Sequence, residues 1–294
     1  MSKAALAMLD AAATNAKGRG SFERLRAPAL ALPGLFLALL VLISVITPLV
    51  LPDAPFQQHL SEALAGPSSA HPLGTDELGR DLLSRLILGT RISFEVGFGS
   101  TAVALAIGGL LGLWSGYSEN PVGAVIMRLS DVLLAFPSIL LAMLVVTVMR
   151  TDLPGVIVAV ALVNIPVFVR LNRALMLSQR RLEYVEAAKA LGGSTSYVIL
   201  RAVLPNVLAP LAVQSALAIA NAVLLEAGLS FLGLGVQPPT PSLGLELQEA
   251  AAYLRQDAWF GIFPGLLLIL IVLALNKLAD EGARWYGRTD LKVE

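Results

Sequence analysis

Side chains that could carry out chemistry are few in this sequence. The chain contains no Cys, and its two His residues, His59 and His71, belong to no H-E-x-x-H arrangement. No Gly is followed by Lys, so the phosphate-binding G-x-x-x-x-G-K-[ST] loop is absent, as is the G-x-S-x-G nucleophile elbow. The sequence therefore predicts no catalytic residue, no metal site and no cofactor bound by this chain.

One polar segment has a spacing that suits binding instead. Its residues favour a helix, and Glu183 and Glu186 lie in the first turns, where the helix dipole favours negative charge. Gly192 can end the helix, because glycine readily adopts the left-handed conformation that follows a helix. At i, i+3, i+4 and i+7 the segment carries an apolar stripe of Tyr184, Ala187, Ala188 and Leu191.

A helix of two to three turns is marginal in water and needs a surface on which to dock. The stripe could pack against the chain's own helices or the lipid headgroups, or it could enter a groove of another protein. The spacing alone leaves both alternatives open. Pro205, further along the chain, suits the first turn of the next helix.

Polar residues in or beside apolar segments are candidates for a solute pathway or gate, because charge in a bilayer tends to face protein or water. Arg128 and Asp131 are three residues apart, which predicts an ion pair between them. The other candidates, each of which could simply bridge two helices, are Asn164, Gln214, Asn221 and Glu226.

A second charged segment precedes the first long internal apolar stretch. It contains Asp76, Glu77, Arg80, Asp81 and Arg85. At helical spacing these residues are expected to form a charged, solvated face.

The elements that position these residues are apolar. Of 294 residues, 56% are hydrophobic and only 14% charged, against roughly 25% charged in soluble domains. Zero net charge gives no indication of a nucleic-acid partner. Six charge-free stretches are long enough to cross a bilayer, namely 27–52, 96–118, 132–149, 153–169, 202–225 and 258–276. The stretch 227–245 is too rich in Gly and Pro to be one helix and is expected to form an external loop.

The predicted fold is therefore an all-α polytopic membrane protein with six transmembrane helices. Both termini are expected in the cytoplasm, because Lys and Arg divide 16 to 5 in favour of that side. The predicted segments are a cytoplasmic tail 1–27, a first transmembrane helix 28–52, an external loop 53–90, a core 91–280 and a cytoplasmic tail 281–294. Within the core we predict spans at about 94–117, 123–149, 153–172, 206–226 and 259–279, a cytoplasmic loop 173–205 and an external loop 227–258. Pro137 and Pro166 are expected to mark kinks.

Three stretches resemble a known family. Glu186-Ala187-Ala188, followed by Gly192 and by Leu204-Pro205, resembles the "EAA" loop of ABC-importer permeases, with Ala202 where that family usually has a larger aliphatic residue. The stretches 71–85, continued at 89–93, and 233–241 are similar to the dipeptide/oligopeptide/nickel permeases, and most of all to their "C" subunits. The resemblance covers roughly residues 28–290.

The resemblance implies a type I ABC-importer transmembrane domain in the cell inner membrane, forming half of a pathway for di- or oligopeptides. Its implied partners are a homologous second permease, two ATP-binding subunits that use ATP and Mg²⁺, and an external solute-binding protein. The implied residues of coupling to an ATPase are Glu183, Tyr184, Glu186, Ala187, Ala188, Leu191, Gly192 and Pro205.

A gradient-driven secondary transporter or channel is the alternative. That class typically has mid-membrane carboxylates and an internal repeat. The centres of the predicted spans contain no carboxylate, and the sequence shows no evident internal repeat. Dipeptides, oligopeptides, glutathione-like peptides, nickel and other small solutes all remain open as substrates.

Overall fold

The computed structural model describes residues 27–51, 53–117, 121–149 and 151–290. Most of the tail predicted at 1–27, and the last four residues of the tail predicted at 281–294, lie outside these ranges. The described part is helical, with one isolated β-bridge between Thr75 and Asp81.

The helices of the described part begin with α1 (Ala27–Val50), α2 (Leu82–Tyr117), α3 (Pro121–Ala135), α4 (Ser138–Met149) and α5 (Leu153–Gln179). They continue with α6 (Glu183–Ala190), α7 (Thr195–Phe231), α8 (Leu243–Ala251) and α9 (Ala258–Asp290). A 3₁₀ turn covers Leu60–Glu62. In α7, the residues Val198–Val203 form a π-helical segment before the regular helix Leu204–Phe231.

Four helices of the described part are long and apolar enough to cross a membrane: α2, α5, α7 and α9. The region predicted as one span at 123–149 is two helices, α3 and α4, which bend by 99° at a break before Ser138. Counting that pair as one span gives five. Pro137 therefore marks a full break, because proline has no N–H and its ring clashes with the preceding turn. Helix α5 continues through Pro166.

The most extensive contact in the bundle joins α2 to α5. A Cβ on Gly112 would lie 2.5 Å from the carbonyl oxygen of Val169, and one on Gly108 would lie 2.6 Å from that of Ile165. Only hydrogen fits at these positions, so the two backbones approach closely, as small residues allow in lipid. Around this seam α2 also packs against α1 and α7, and α9 packs against α1, α7 and α8.

The segment before α2 is not the solvated face expected from the sequence. Helix α2 starts only at Leu82, and Arg85 and Asp76 are 1% and 0% exposed. The Arg85 guanidinium lies 3.2 Å from Asp76 and 2.7 Å from Glu246 of α8, and the neighbouring Arg80 pairs with Asp76 and with Glu249. The prediction was wrong because the partners come from α8, some 160 residues away along the chain.

The two arginines explain why the carboxylates converge. Oxygens of Asp76, Glu246 and Glu249 lie within 4.8 Å of one another, a grouping that could hold a metal ion. Arg80 and Arg85 already pair with these carboxylates, so the grouping is an ion-pair network that joins the segment before α2, which we call the outer segment after its predicted location, to α8. Burial raises the pKa of Glu246 to about 7, and the charge of Arg85 opposes that rise.

His71 attaches the same outer segment to the start of α2. Its Nδ1 lies 3.0 Å from Asp81 and its Nε2 lies 3.3 Å from Glu62. Asp81 also accepts a hydrogen bond from the Ser84 backbone N–H at 2.9 Å, which caps α2. The hydrogen bond to Asp81 raises the pKa of His71 above its usual value.

The seam between α2 and α5 gives a matched pair of substitutions. We expect Gly112→Ala to destabilise the protein by about 1–3 kcal/mol, because the added methyl meets backbone that cannot move. Gly109→Ala is the control, since its Cβ would have its nearest neighbour at 3.7 Å. Thermal unfolding in detergent measures the stability of both variants. Equal midpoints for the two variants would contradict the close backbone contact at Gly112.

The ion-pair network gives a second matched pair of substitutions. Replacing the buried Arg85 with Gln leaves Glu246 without its arginine partner and removes one of the two arginines paired with Asp76, which should cost about 3–5 kcal/mol. Arg91 pairs with Glu95 in a half-exposed contact, so Arg91→Gln should cost about 0–1 kcal/mol. Chemical denaturation measures the free energy of unfolding of both variants. A larger loss for Arg91→Gln than for Arg85→Gln would contradict the prediction.

Candidate functional site

Helix α6 is the short helix predicted between Glu183 and Gly192. It runs from Glu183 to Ala190 and ends in two backbone hydrogen bonds, from Gly192 to Lys189 O at 2.9 Å and from Gly193 to Ala188 O at 3.0 Å. This is the Schellman ending, which requires a left-handed residue after the helix. Gly192 has φ +80°, so the expected glycine stop is confirmed.

One face of α6 packs on the chain's own bundle. Val185 is fully buried and Ala188 half-buried, and both join an apolar cluster that includes Met176 of α5 and Val198 of α7. Lys189 adds a cation–π contact, with Nζ 5.0 Å from the centre of the Tyr117 ring. Sequence reasoning missed Val185, the anchoring residue, because it considered only the other stripe.

The other face of α6 is uncovered. Leu191 is 89% exposed and Tyr184 36% exposed. Ala187, Glu183 and Glu186 are exposed as well. The predicted stripe thus divides, with Ala188 turned toward the bundle and Tyr184, Ala187 and Leu191 facing outward. We call these three residues, at i, i+3 and i+7, the docking stripe.

Neighbouring residues hold the docking stripe in place. The Tyr184 hydroxyl donates a hydrogen bond to Gln179 Oε1 at 2.6 Å, which fixes the ring beside the end of α5. Burial raises the pKa of Tyr184, which keeps the hydroxyl protonated. Ser194 caps the start of α7 by accepting a hydrogen bond from the Tyr197 N–H, and Pro205 lies exposed at the start of the regular part of α7. The arrangement is a turn between two long helices that leaves an apolar stripe exposed.

The candidate pathway residues lie in several different environments. Glu226 is fully buried and accepts hydrogen bonds from Ser93 Oγ at 2.9 Å and Ser230 Oγ at 2.7 Å, so it ties α7 to α2. Asn164 is buried and donates to the Val160 carbonyl at 3.2 Å within its own helix. Gln214 is half-buried and Asn221 is exposed on α7.

The predicted ion pair between Arg128 and Asp131 was wrong. Asp131 instead pairs with Arg170 of α5, at 2.6 Å. The side chain of Arg170 reaches across the contact between α3 and α5, whereas Arg128 lies one turn further toward the start of α3.

Comparisons with known proteins fit this geometry. The profile of the family described as "Binding-protein-dependent transport system inner membrane component" matches residues 108–288. The chain is 44% identical over 252 residues to the di/tripeptide transport system permease protein DppC of Pseudomonas aeruginosa, covering 84% of this chain and 83% of that one. It is 42% identical over 248 residues to the glutathione transport system permease protein GsiD of Pectobacterium atrosepticum, covering 84% and 82%.

A solved structure shares the fold. The inward-facing MetNI methionine ABC transporter contains a chain that superposes with a TM-score of 0.57 at 17% identity, covering 68% of this chain and 94% of that one. With α6 exposed between two long helices and the family profile spanning α2 to α9, this chain belongs to the binding-protein-dependent transport system inner membrane components and is a multi-pass membrane protein.

Proposed function

We propose that this chain forms half of the pathway of an ATP-driven importer for short peptides, and that α6 transmits the energy. The observation that carries the proposal is the docking stripe. Leu191 is 89% exposed although it is a leucine on a cytoplasmic turn, and the opposite face of the same helix is firmly anchored. An exposed apolar stripe on a rigid helix suits the helix-in-groove mode of protein recognition.

The partner for that stripe is an ATP-binding subunit. The sequence contains no phosphate-binding loop, so ATP and Mg²⁺ are handled by separate chains, two of which lie below this permease and a homologous second permease. Closure of the ATP-binding subunits moves α6, and α6 moves α5 and α7, which directly flank it along the chain. An external solute-binding protein delivers the substrate.

The topology consistent with this assembly has six spans with both termini in the cytoplasm. Helices α2, α5, α7 and α9 supply four, and the bent pair α3–α4 supplies a fifth. The sixth is α1, a helix of 24 residues whose apolar part in the described region is Ala31–Thr47. The excess of Lys and Arg on the side of α6 supports this orientation.

Short peptides are the substrate class that we assign. The relatives that support it are named for dipeptides, for di- and tripeptides and for glutathione, which is itself a small peptide. A gradient-driven transporter is the competing class. The test is peptide uptake into proteoliposomes that contain the complete complex. Uptake that requires ATP and continues in the presence of a protonophore supports the ABC assignment. Uptake that the protonophore alone abolishes overturns it.

The docking stripe gives a direct test of coupling. We expect Leu191→Glu to reduce co-purification of the ATP-binding subunits and ATP-driven uptake by at least about tenfold, because a charge replaces an apolar anchor in the groove. Thermal stability of the chain should not change, since the side chain touches little of its own bundle. Glu186→Lys, which reverses an exposed charge on the same helix, should also uncouple uptake without preventing membrane insertion.

Leu254→Glu is the matched control. This leucine is 53% exposed and lies between α8 and α9, on the face opposite to α6 in the proposed topology. The variant should retain its ATP-binding subunits. If Leu191→Glu retains them equally well and imports peptide normally, α6 is not the coupling helix.

A further inference from the structure

An ion pair lies on the uncovered surface between α3 and α5. The Arg170 Nη2 and the Asp131 Oδ1 are 2.6 Å apart, and the two side chains are 52% and 41% exposed. The surface around them is apolar, with Leu129 and Val132 of α3 exposed to 60% and 56%. Two charges are therefore displayed on a face that is otherwise suited to lipid or protein.

The pair lies about one helical turn inside one end of the contact between α2 and α5. The Arg173 guanidinium donates to the Gly123 carbonyl at 3.3 Å, which marks where α3 starts beside α5. Asp131 is eight residues beyond Gly123, or about 12 Å further along the helix axis. Arg170 is level with Gly112 of α2, about one helical turn further from the cytoplasm than Gly116, which faces Arg173.

Lipid is a poor neighbour for such a pair. A charged residue at the centre of a transmembrane helix costs about 2.5–3.5 kcal/mol on insertion scales, and such residues usually face protein or a water-filled cavity. In the described part of the chain nothing covers the outer side of this pair, since both side chains are close to half exposed. Water, lipid headgroups or another subunit must therefore meet them.

We propose that the Asp131–Arg170 pair lines the water-filled pathway near its inner end and contacts the charged ends of the passing peptide. This inference rests on the proposed function. A free peptide carries an ammonium and a carboxylate, and the pair presents one charge of each sign to the pathway. Arg128, exposed one turn closer to the cytoplasm on the same face of α3, continues the polar track toward the inner opening.

The absence of Cys from the chain makes the proposal testable by single substitutions. In the complete complex in nanodiscs, we would introduce Asp131→Cys and Arg170→Cys separately. The probes are a cationic trimethylammonioethyl and an anionic sulfonatoethyl methanethiosulfonate. Only the ionised thiol reacts, so a thiol in lipid or in a dry interface should react at least about hundredfold more slowly than one in water.

If the Asp131–Arg170 pair lines the water-filled pathway, two results are expected. Both positions should react within about tenfold of Gln57→Cys, which is an exposed residue of the outer segment, because both thiols lie in water. Asp131→Cys leaves Arg170 unpaired and should favour the anionic probe, whereas Arg170→Cys leaves Asp131 unpaired and should favour the cationic probe. Val148→Cys on α4, 77% exposed and apolar, is the slow control.

The peptide contact has its own readout. Free Ala-Ala should slow labelling several-fold at both positions, whereas N-acetylated and C-amidated Ala-Ala at the same concentration should not. Failure to react at both positions overturns the proposal and places the pair in lipid or in a dry protein interface. Equal protection by the two peptides overturns the contact with charged ends. Because ATP-driven uptake by the unmodified complex is measured separately, either result is distinguishable from failure of the proposed function.

Discussion

The close approach of α2 and α5 sets the geometry of the whole bundle. At Gly108 and Gly112 there is no room for a side chain, so the two helices meet backbone to backbone. In lipid, where apolar surfaces gain little from leaving the solvent, such close packing is a main source of helix association. Helix α5 leads directly to α6, and α2 carries the buried arginine that joins the outer segment to α8. The docking stripe and the buried ion-pair network are therefore both attached to this pair of helices.

The two ends of that pair are built on different physical principles. At the outer end, Arg85 and Glu246 are almost completely buried and depend on each other, so the contact is specific and intolerant of truncation. At the inner end, α6 is held by apolar burial of Val185 and leaves its other face free. A partner can thus bind at the inner end without disturbing the contacts that hold the helix in place.

The sequence predicted most of the helices but only part of their contacts. Spans were recognisable because charge-free stretches are a local property, and the end of α6 was recognisable because Gly192 has few conformational alternatives. The buried outer network was not, because the partners of Arg85 are on α8 and no local pattern connects them. The pairing of Asp131 was wrong for the same reason: spacing along α3 indicates Arg128, while the contact between α3 and α5 brings Arg170 closer. The break at Pro137 was expected as a kink, and its 99° angle depends on packing that proline alone does not determine.

The π-helical segment at the start of α7 has a consequence for the register of the chain. Its hydrogen bonds span five residues, as in the bond from the Leu204 N–H to the Ile199 carbonyl, so it contains one residue more than an α-helix of the same course. Deleting one residue from Val198–Val203 would let the segment close as an ordinary α-helix without stretching the chain. Closing the segment as an α-helix without deleting a residue would instead rotate everything before it by about 100° relative to the rest of α7. The π-helical segment thus sets the direction in which α6 faces, and losing the bulge at constant chain length would turn the docking stripe away from the side of the bundle that it now faces.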